Sequence, residues 1–121
     1  AFEAEPRVRT ISIHEDGRWP HTGAAGDGIE NGAYNLPVPW GCNDSELDFL
    51  VQHAVMPLGQ AFGPEALVIT CGADPLDGDP LSRLSLSNVA LWRAVETLVA
   101  QWPRAVVLGG GGYNPWTVIR C

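Results

Sequence analysis

Two short apolar runs, Ala66 to Cys71 (ALVITC) and Ala105 to Leu108 (AVVL), are separated by one helix-patterned segment, and that order admits few folds. Strand, helix and strand with a crossover of this length imply a parallel pair joined by a right-handed connection. Each run ends in a glycine-softened loop that delivers one reactive side chain. Asp74 closes ALVITCGAD, and Tyr113 closes AVVLGGGGY. Ligands of α/β sheets bind at the carboxyl edge of the strands, so a carboxylate and a phenol are expected there side by side. Such a pair suggests a metal ligand and a hydrogen-bond donor.

The rest of the pattern agrees with an α/β fold. Arg7 to Ile13 (RVRTISI) alternates and is β-branched enough to read as a strand. His14 to Asn35 is rich in glycine and polar residues and reads as a long functional loop or ordered excursion. Leu36 to Trp40 reads as a short extended piece held open by Pro37 and Pro39. Asn43 with Glu46 resembles a capping box, after which Leu47, Leu50, Val51, Val55, Leu58 and Phe62 share a helical face. Pro57 is expected to kink that helix or end it early. Ala66 to Cys71 reads as a buried strand. Ser87 caps a second helix with Leu91, Val95, Leu98, Val99 and Trp102 on one face, and Pro103 stops it. Asn114 and Pro115 open a third helix.

Composition excludes several function classes. No apolar stretch approaches the roughly 18 residues a membrane span needs, and no basic-then-apolar start suggests a signal peptide. Net charge is −7 with only seven Lys and Arg residues, which argues against tight nucleic-acid binding through phosphates. An acidic surface tolerates cationic substrates. Cys42, Cys71 and Cys121 form no C-x-x-C and fit reduced thiols in a cytoplasmic protein. The chain begins AFEAEPR and stops at IRC as a helix starts, so its 121 residues read as a piece of a larger protein.

Several residues could carry chemistry. CGADPLDGDPL holds three carboxylates, Asp74, Asp77 and Asp79. Carboxylate oxygens bind hard and borderline cations, but Asp beside Gly or Pro also initiates turns. Asp74 lies nearest the strand end and is the candidate ligand; Asp77 and Asp79 read as turn formers. The glycine run Gly109 to Gly112 could cradle a phosphate or nucleotide, although Asn114 stands where a dinucleotide fingerprint has its third glycine and no Walker lysine follows. The same glycines could instead bring Tyr113 close to a bound substrate. His53 reads as a solvated surface residue. His14 is either a ligand or a hydrogen-bonded structural histidine. His21 sits in RWPHTG beside Trp19, an aromatic that either lines an apolar channel or plugs the core.

SIHEDGRWPHTG, CGADPLDGDPL and LGGGGYN, in that order, resemble the histone deacetylase superfamily, which includes bacterial acetoin-utilisation proteins and acetylpolyamine amidohydrolases. RWPHTG and NLPVPWG look closest to bacterial members. The resemblance runs from Phe2 to Cys121 and implies a partial deacetylase domain over residues 1–121, its N-terminal half and extreme C-terminus lying outside. The implied fold is an arginase-like three-layer α/β structure with a parallel central sheet.

Residue by residue, the resemblance makes Asp74 a zinc ligand. It makes Tyr113 the donor to the acetyl carbonyl and its oxyanion. Trp19, Leu81 and Gly111 match the walls and rim of an acyl channel. Ser12 and Ile13 match part of one potassium shell, and the carbonyls of Phe2, Glu5 and Val8 part of a second. Glu5 and His21 depart from the small polar residue and the glycine common at those places. The paired histidines and the Asp-x-His zinc ligands of the family are not in this sequence and are expected upstream of Ala1.

The implied activity is zinc-dependent hydrolysis of an acetyl-amide on a lysine or polyamine, with the isolated piece inactive for want of a general base and two metal ligands. The competing expectations are a phosphate-binding domain using the glycine loop and a non-catalytic relative that only binds.

Overall fold

β-branched Thr10, Ile11 and Ile13 build β1 (Thr10–Glu15), which in the computed structural model pairs in parallel with β2 (Ala33–Val38), from Thr10↔Ala33 to Glu15↔Val38. The structure describes residue 2 and residues 5–121, in two units: residues 1–40 and 41–121. In the first unit, flanking bonds from Thr10 N to Gly32 O (3.1 Å) and from Asp16 N to Val38 O (2.9 Å) extend the ladder.

β1 starts three residues later than RVRTISI suggests and ends two residues later, so His14 lies inside the strand instead of after it. The residues before Thr10 are spent in turns, with Val8 N donating to Glu5 O at 3.0 Å. Asn35, expected in the loop, is a β2 residue paired with Ser12. The remaining excursion carries a short 3-10 turn at Ile29–Asn31.

In the second unit, α1 (Asp44–Leu50) starts from a complete capping box. Asn43 Oδ1 accepts from Ser45 N (3.0 Å), and Glu46 Oε2 accepts from Asn43 N (2.8 Å). Pro57 does not end the helical path. A π-helical turn at Val51–Val55, with Met56 N donating to Val51 O, leads into α2 (Met56–Phe62), where Pro57 occupies the first turn. The first turn of a helix is where proline is tolerated. Gly59 meets the Trp102 ring so closely that a β-carbon would stand 2.5 Å from it.

β3 (Leu67–Thr70) and β4 (Ala105–Leu108) are parallel, in register from Leu67↔Ala105 to Thr70↔Leu108, with α3 (Asn88–Gln101) between them in sequence. Ser87 caps α3 through Oγ, which accepts from Ala90 N at 3.1 Å. Asp44 accepts from both Ser87 N and Ser87 Oγ at 2.7 Å, tying the start of α1 to that of α3. Asn114 caps α4 (Pro115–Arg120).

Cys42, Leu47, Val51, Leu76, Leu86 and Leu91 are buried, and fully burying a leucine contributes roughly 1.5–3 kcal/mol. β3 is not the buried strand its composition suggests. Val68 is 65% exposed, and Val106, Val107 and Leu108 of β4 are about half exposed. Apolar parallel strands are normally covered on both faces, and among the described residues these two pair only with each other.

Candidate functional site at the ends of β3 and β4

The carboxyl ends of the two parallel strands are bound together beyond the ladder. Cys71 N donates to Leu108 O at 3.0 Å, and Ala73 N donates to Gly111 O at 2.7 Å. Asp74 follows at once, half-buried, with its carboxylate against the glycine run. A β-carbon on Gly111 would stand 2.5 Å from Asp74 Oδ2, and one on Gly72 would collide with the Gly111 backbone. Glycine at these positions is therefore a requirement of close approach, and Asp74 and the Tyr113 loop lie side by side as their sequence positions suggest.

Tyr113 is reached through Gly112, whose φ of +145° lies where side chains other than glycine rarely go. Its backbone N–H donates to Asp79 Oδ2 at 2.7 Å, and its side chain is exposed. One residue on, Asn114 Nδ2 donates to Gly78 O at 2.9 Å while Asn114 Oδ1 accepts from Trp116 N at 3.0 Å. The 77–81 loop thus grips the 113–114 segment twice.

Asp79 is more than the turn former its neighbours suggest. It is 6% exposed, and its other oxygen accepts from Leu81 N at 2.9 Å. Only that local bond was legible from GDPL. The partner 34 residues away leaves no trace in the local sequence. Asp77 is exposed and keeps the turn reading. Leu81 is exposed at the edge of this loop.

The remaining candidates lie in the first unit. Trp19 is 84% exposed, so it does not plug a core, and it precedes Pro20 through a cis peptide bond. His21 adopts φ +62°, the left-handed conformation that a glycine would accept without cost, and its Nδ1 pairs with Gly17 O at 2.8 Å. His14 is hydrogen-bonded on both ring nitrogens, to Ser12 Oγ (3.0 Å) and Gly23 O (2.9 Å), which is the structural arrangement. The side chain of Ser12 is therefore committed to His14, and Ile13 lies half-buried beside it. Phe2 O and Glu5 O each accept a turn bond, from Glu5 N (2.9 Å) and Val8 N (3.0 Å). The Glu5 carboxylate is held below its usual range by side-chain and backbone bonds from Arg7, both groups lying at the surface.

Among the described residues no group of three or more His, Cys, Asp and Glu side chains could hold a metal ion. Asp74 offers one carboxylate, short of the three protein ligands of a catalytic zinc centre. Beside the glycine loop the Tyr113 and Trp116 amides are already engaged, and the Asp74 carboxylate, which would repel an anion, lies against Gly111. The thiols of Cys42, Cys71 and Cys121 are free. No helix among the described residues is long and apolar enough to cross a membrane.

Comparison with known proteins places this arrangement. The family model for the histone deacetylase domain matches residues 1–121. Histone deacetylase HOS1 of Saccharomyces cerevisiae is 38% identical over 125 residues, covering 99% of this chain and 27% of the yeast protein. Histone deacetylase 8 of Xenopus laevis is 31% identical over 128 residues, covering all of this chain and 39% of that protein. Among solved structures, an HDAC homolog from Aquifex aeolicus superposes with a TM-score of 0.85 at 33% identity, covering 99% of this chain and 36% of that one. The HDA15 HD domain superposes with a TM-score of 0.87 at 32% identity, over 98% of this chain and 37% of that domain's chain. The chain belongs to the histone deacetylase domain family and has its arginase-like α/β fold. It spans between about a quarter and two-fifths of the length of these relatives.

Proposed function

We propose that these residues are the later part of the domain of a zinc-dependent amidohydrolase that removes acetyl groups from lysine side chains or acetylpolyamines. The observation that carries this reading is the Asp74 carboxylate seated against Gly111, two residues before Tyr113, at the ends of paired parallel strands. Asp74 supplies one zinc ligand, and the others come from outside these 121 residues, as does the general base. Tyr113 directs its phenol to the acyl oxygen, where a neutral hydroxyl donor stabilises developing negative charge. Leu81 and Gly111 line the channel for the acyl-bearing chain. Ser12 and Ile13, and the carbonyls of Phe2, Glu5 and Val8, contribute to two potassium shells that brace the first unit.

The net charge of −7 favours cationic substrates such as the lysine tail of a protein or a polyamine. Three free thiols support a cytoplasmic setting. The exposed apolar faces of β3 and β4 support a larger domain whose other elements cover them.

The test uses the full-length protein with an acetyl-lysine peptide and with an acetylated polyamine. Release of acetate that is lost on chelation and restored by zinc is the expected result. Absence of turnover on both substrates with zinc present would refute the reading. Turnover indifferent to chelation would refute its metal dependence.

A further inference from the structure

We propose that Asp79 is a positioning residue that sets the Tyr113 loop and couples it to the Leu81 rim, an assignment that rests on the deacetylase reading. The four glycines before Tyr113 have little conformational preference of their own, and Gly112 at φ +145° acts as a free joint. Where Tyr113 stands is therefore decided by what holds the loop, not by the loop. The attachments are the Gly111 carbonyl, bonded by Ala73 N, the Asn114 side chain, whose Nδ2 donates to Gly78 O at 2.9 Å, and the Tyr113 amide, bonded by Asp79 Oδ2 at 2.7 Å; the Asp79 bond is the one made to Tyr113 itself. Asp79 Oδ1 accepts from Leu81 N at 2.9 Å, so one carboxylate spans both segments.

A turn former needs one oxygen and no burial. Asp79 is 6% exposed and uses both oxygens, one of them 34 residues along the chain. Bonds from backbone amides to a carboxylate are charge-assisted and stronger than those to a neutral acceptor. Asparagine in its place has one acceptor oxygen and would turn an amide N–H toward a donor, so one of the two amide bonds would be lost, while the Asn114 bond to Gly78 O stays.

The experiment uses the full-length, metal-loaded protein and compares Asp79→Asn, Tyr113→Phe and the double variant. Asp79→Asn is expected to lower turnover about 10–100-fold with little change in KM, as a small misplacement of a reacting group does. Because Asp79 acts through the Tyr113 hydroxyl, the double variant should turn over no more slowly than Tyr113→Phe alone. Losses that multiply in the double variant would overturn the assignment, as would undiminished turnover in Asp79→Asn. Asp79→Glu keeps the charge and both acceptors but shifts them by one methylene; it serves the same comparison where Asp79→Asn does not fold.

Amide hydrogen exchange supplies a readout independent of activity. The Tyr113 amide should exchange at least about tenfold faster in the Asp79 variants while Val107 in β4 is unchanged. Unchanged exchange at Tyr113 would overturn the anchoring whatever the activity. A native protein without turnover on either acetylated substrate would instead overturn the deacetylase reading, and with it the role of Asp79 in turnover.

Discussion

Asp74 Oδ2 lies 2.5 Å from the place a β-carbon on Gly111 would occupy, closer than side chains pack. Gly111→Ala must therefore displace either the carboxylate or the backbone that Ala73 holds at 2.7 Å. Overpacking of this kind costs typically about 1–3 kcal/mol. Gly109→Ala is the matched control, since a β-carbon there meets nothing within 4 Å. In the full-length protein Gly111→Ala should lower both the unfolding midpoint and turnover, whereas Gly109→Ala should do far less. Equal effects in thermal unfolding and in turnover would show that close approach is not the cause.

How much of this was legible in the sequence depends on how far away each partner lies. The parallel pair of β3 and β4, the Asn43, Ser87 and Asn114 caps and the placement of Asp74 beside the glycine run that leads to Tyr113 follow from local pattern and from one helix between two strands. The late start of β1 was not legible, because it depends on where Ala33 begins its partner strand. Pro57 signals a missing donor, but the π-helical turn that precedes it is a choice of hydrogen-bond register. Asp79 announces a turn through its neighbours and gives no sign of Tyr113.

The capping box gives a stability prediction separate from the site. Asn43→Ala removes the acceptor of Ser45 N, Ser45 Oγ and Glu46 N and should destabilise the protein by about 1 kcal/mol. Chemical denaturation should show a lower midpoint with an unchanged slope, and turnover of the folded variant should be as before. A midpoint equal to that of the native protein would mean the cap bonds are replaced by water without loss.

The buried thiols predict an alkaline dependence. Burial pushes the Cys42 thiol above its ordinary value, the Glu46 carboxylate adding to the effect, and burial likewise raises Cys71, with Cys121 nearby adding to it. A raised folded-state value means that the folded protein holds the proton more tightly than the unfolded chain does. The resulting stability is complete below the ordinary thiol value, about 9, and is lost as pH rises through the raised folded-state values. The unfolding midpoint should fall more steeply above that pH in the native protein than in Cys42→Ala/Cys71→Ala. Iodoacetamide at pH 8 should label exposed Cys121 before buried Cys42 and half-buried Cys71. Mass spectrometry showing the opposite order would contradict the shielding.

Tyr113→Phe carries the chemical part of the reading. The phenol follows a joint at Gly112 and a backbone fixed by Asp79, so loss of one oxygen leaves the loop's anchors untouched. The exposed ring keeps its packing, and folding should be unaffected. Removing a single donor to a developing oxyanion costs about 10²–10³ in turnover, or about 3–4 kcal/mol. In the full-length protein, Tyr113→Phe should therefore be as stable as the native protein and hold the same amount of metal. Its turnover should fall by that factor with KM little changed, since the bond strengthens as charge develops rather than in the bound substrate. The same loss should appear with the acetyl-lysine peptide and with the acetylated polyamine, because the acyl oxygen is common to both. A rise in KM at full turnover would instead make Tyr113 a binding contact, and native kinetics on both substrates would return it to a surface aromatic.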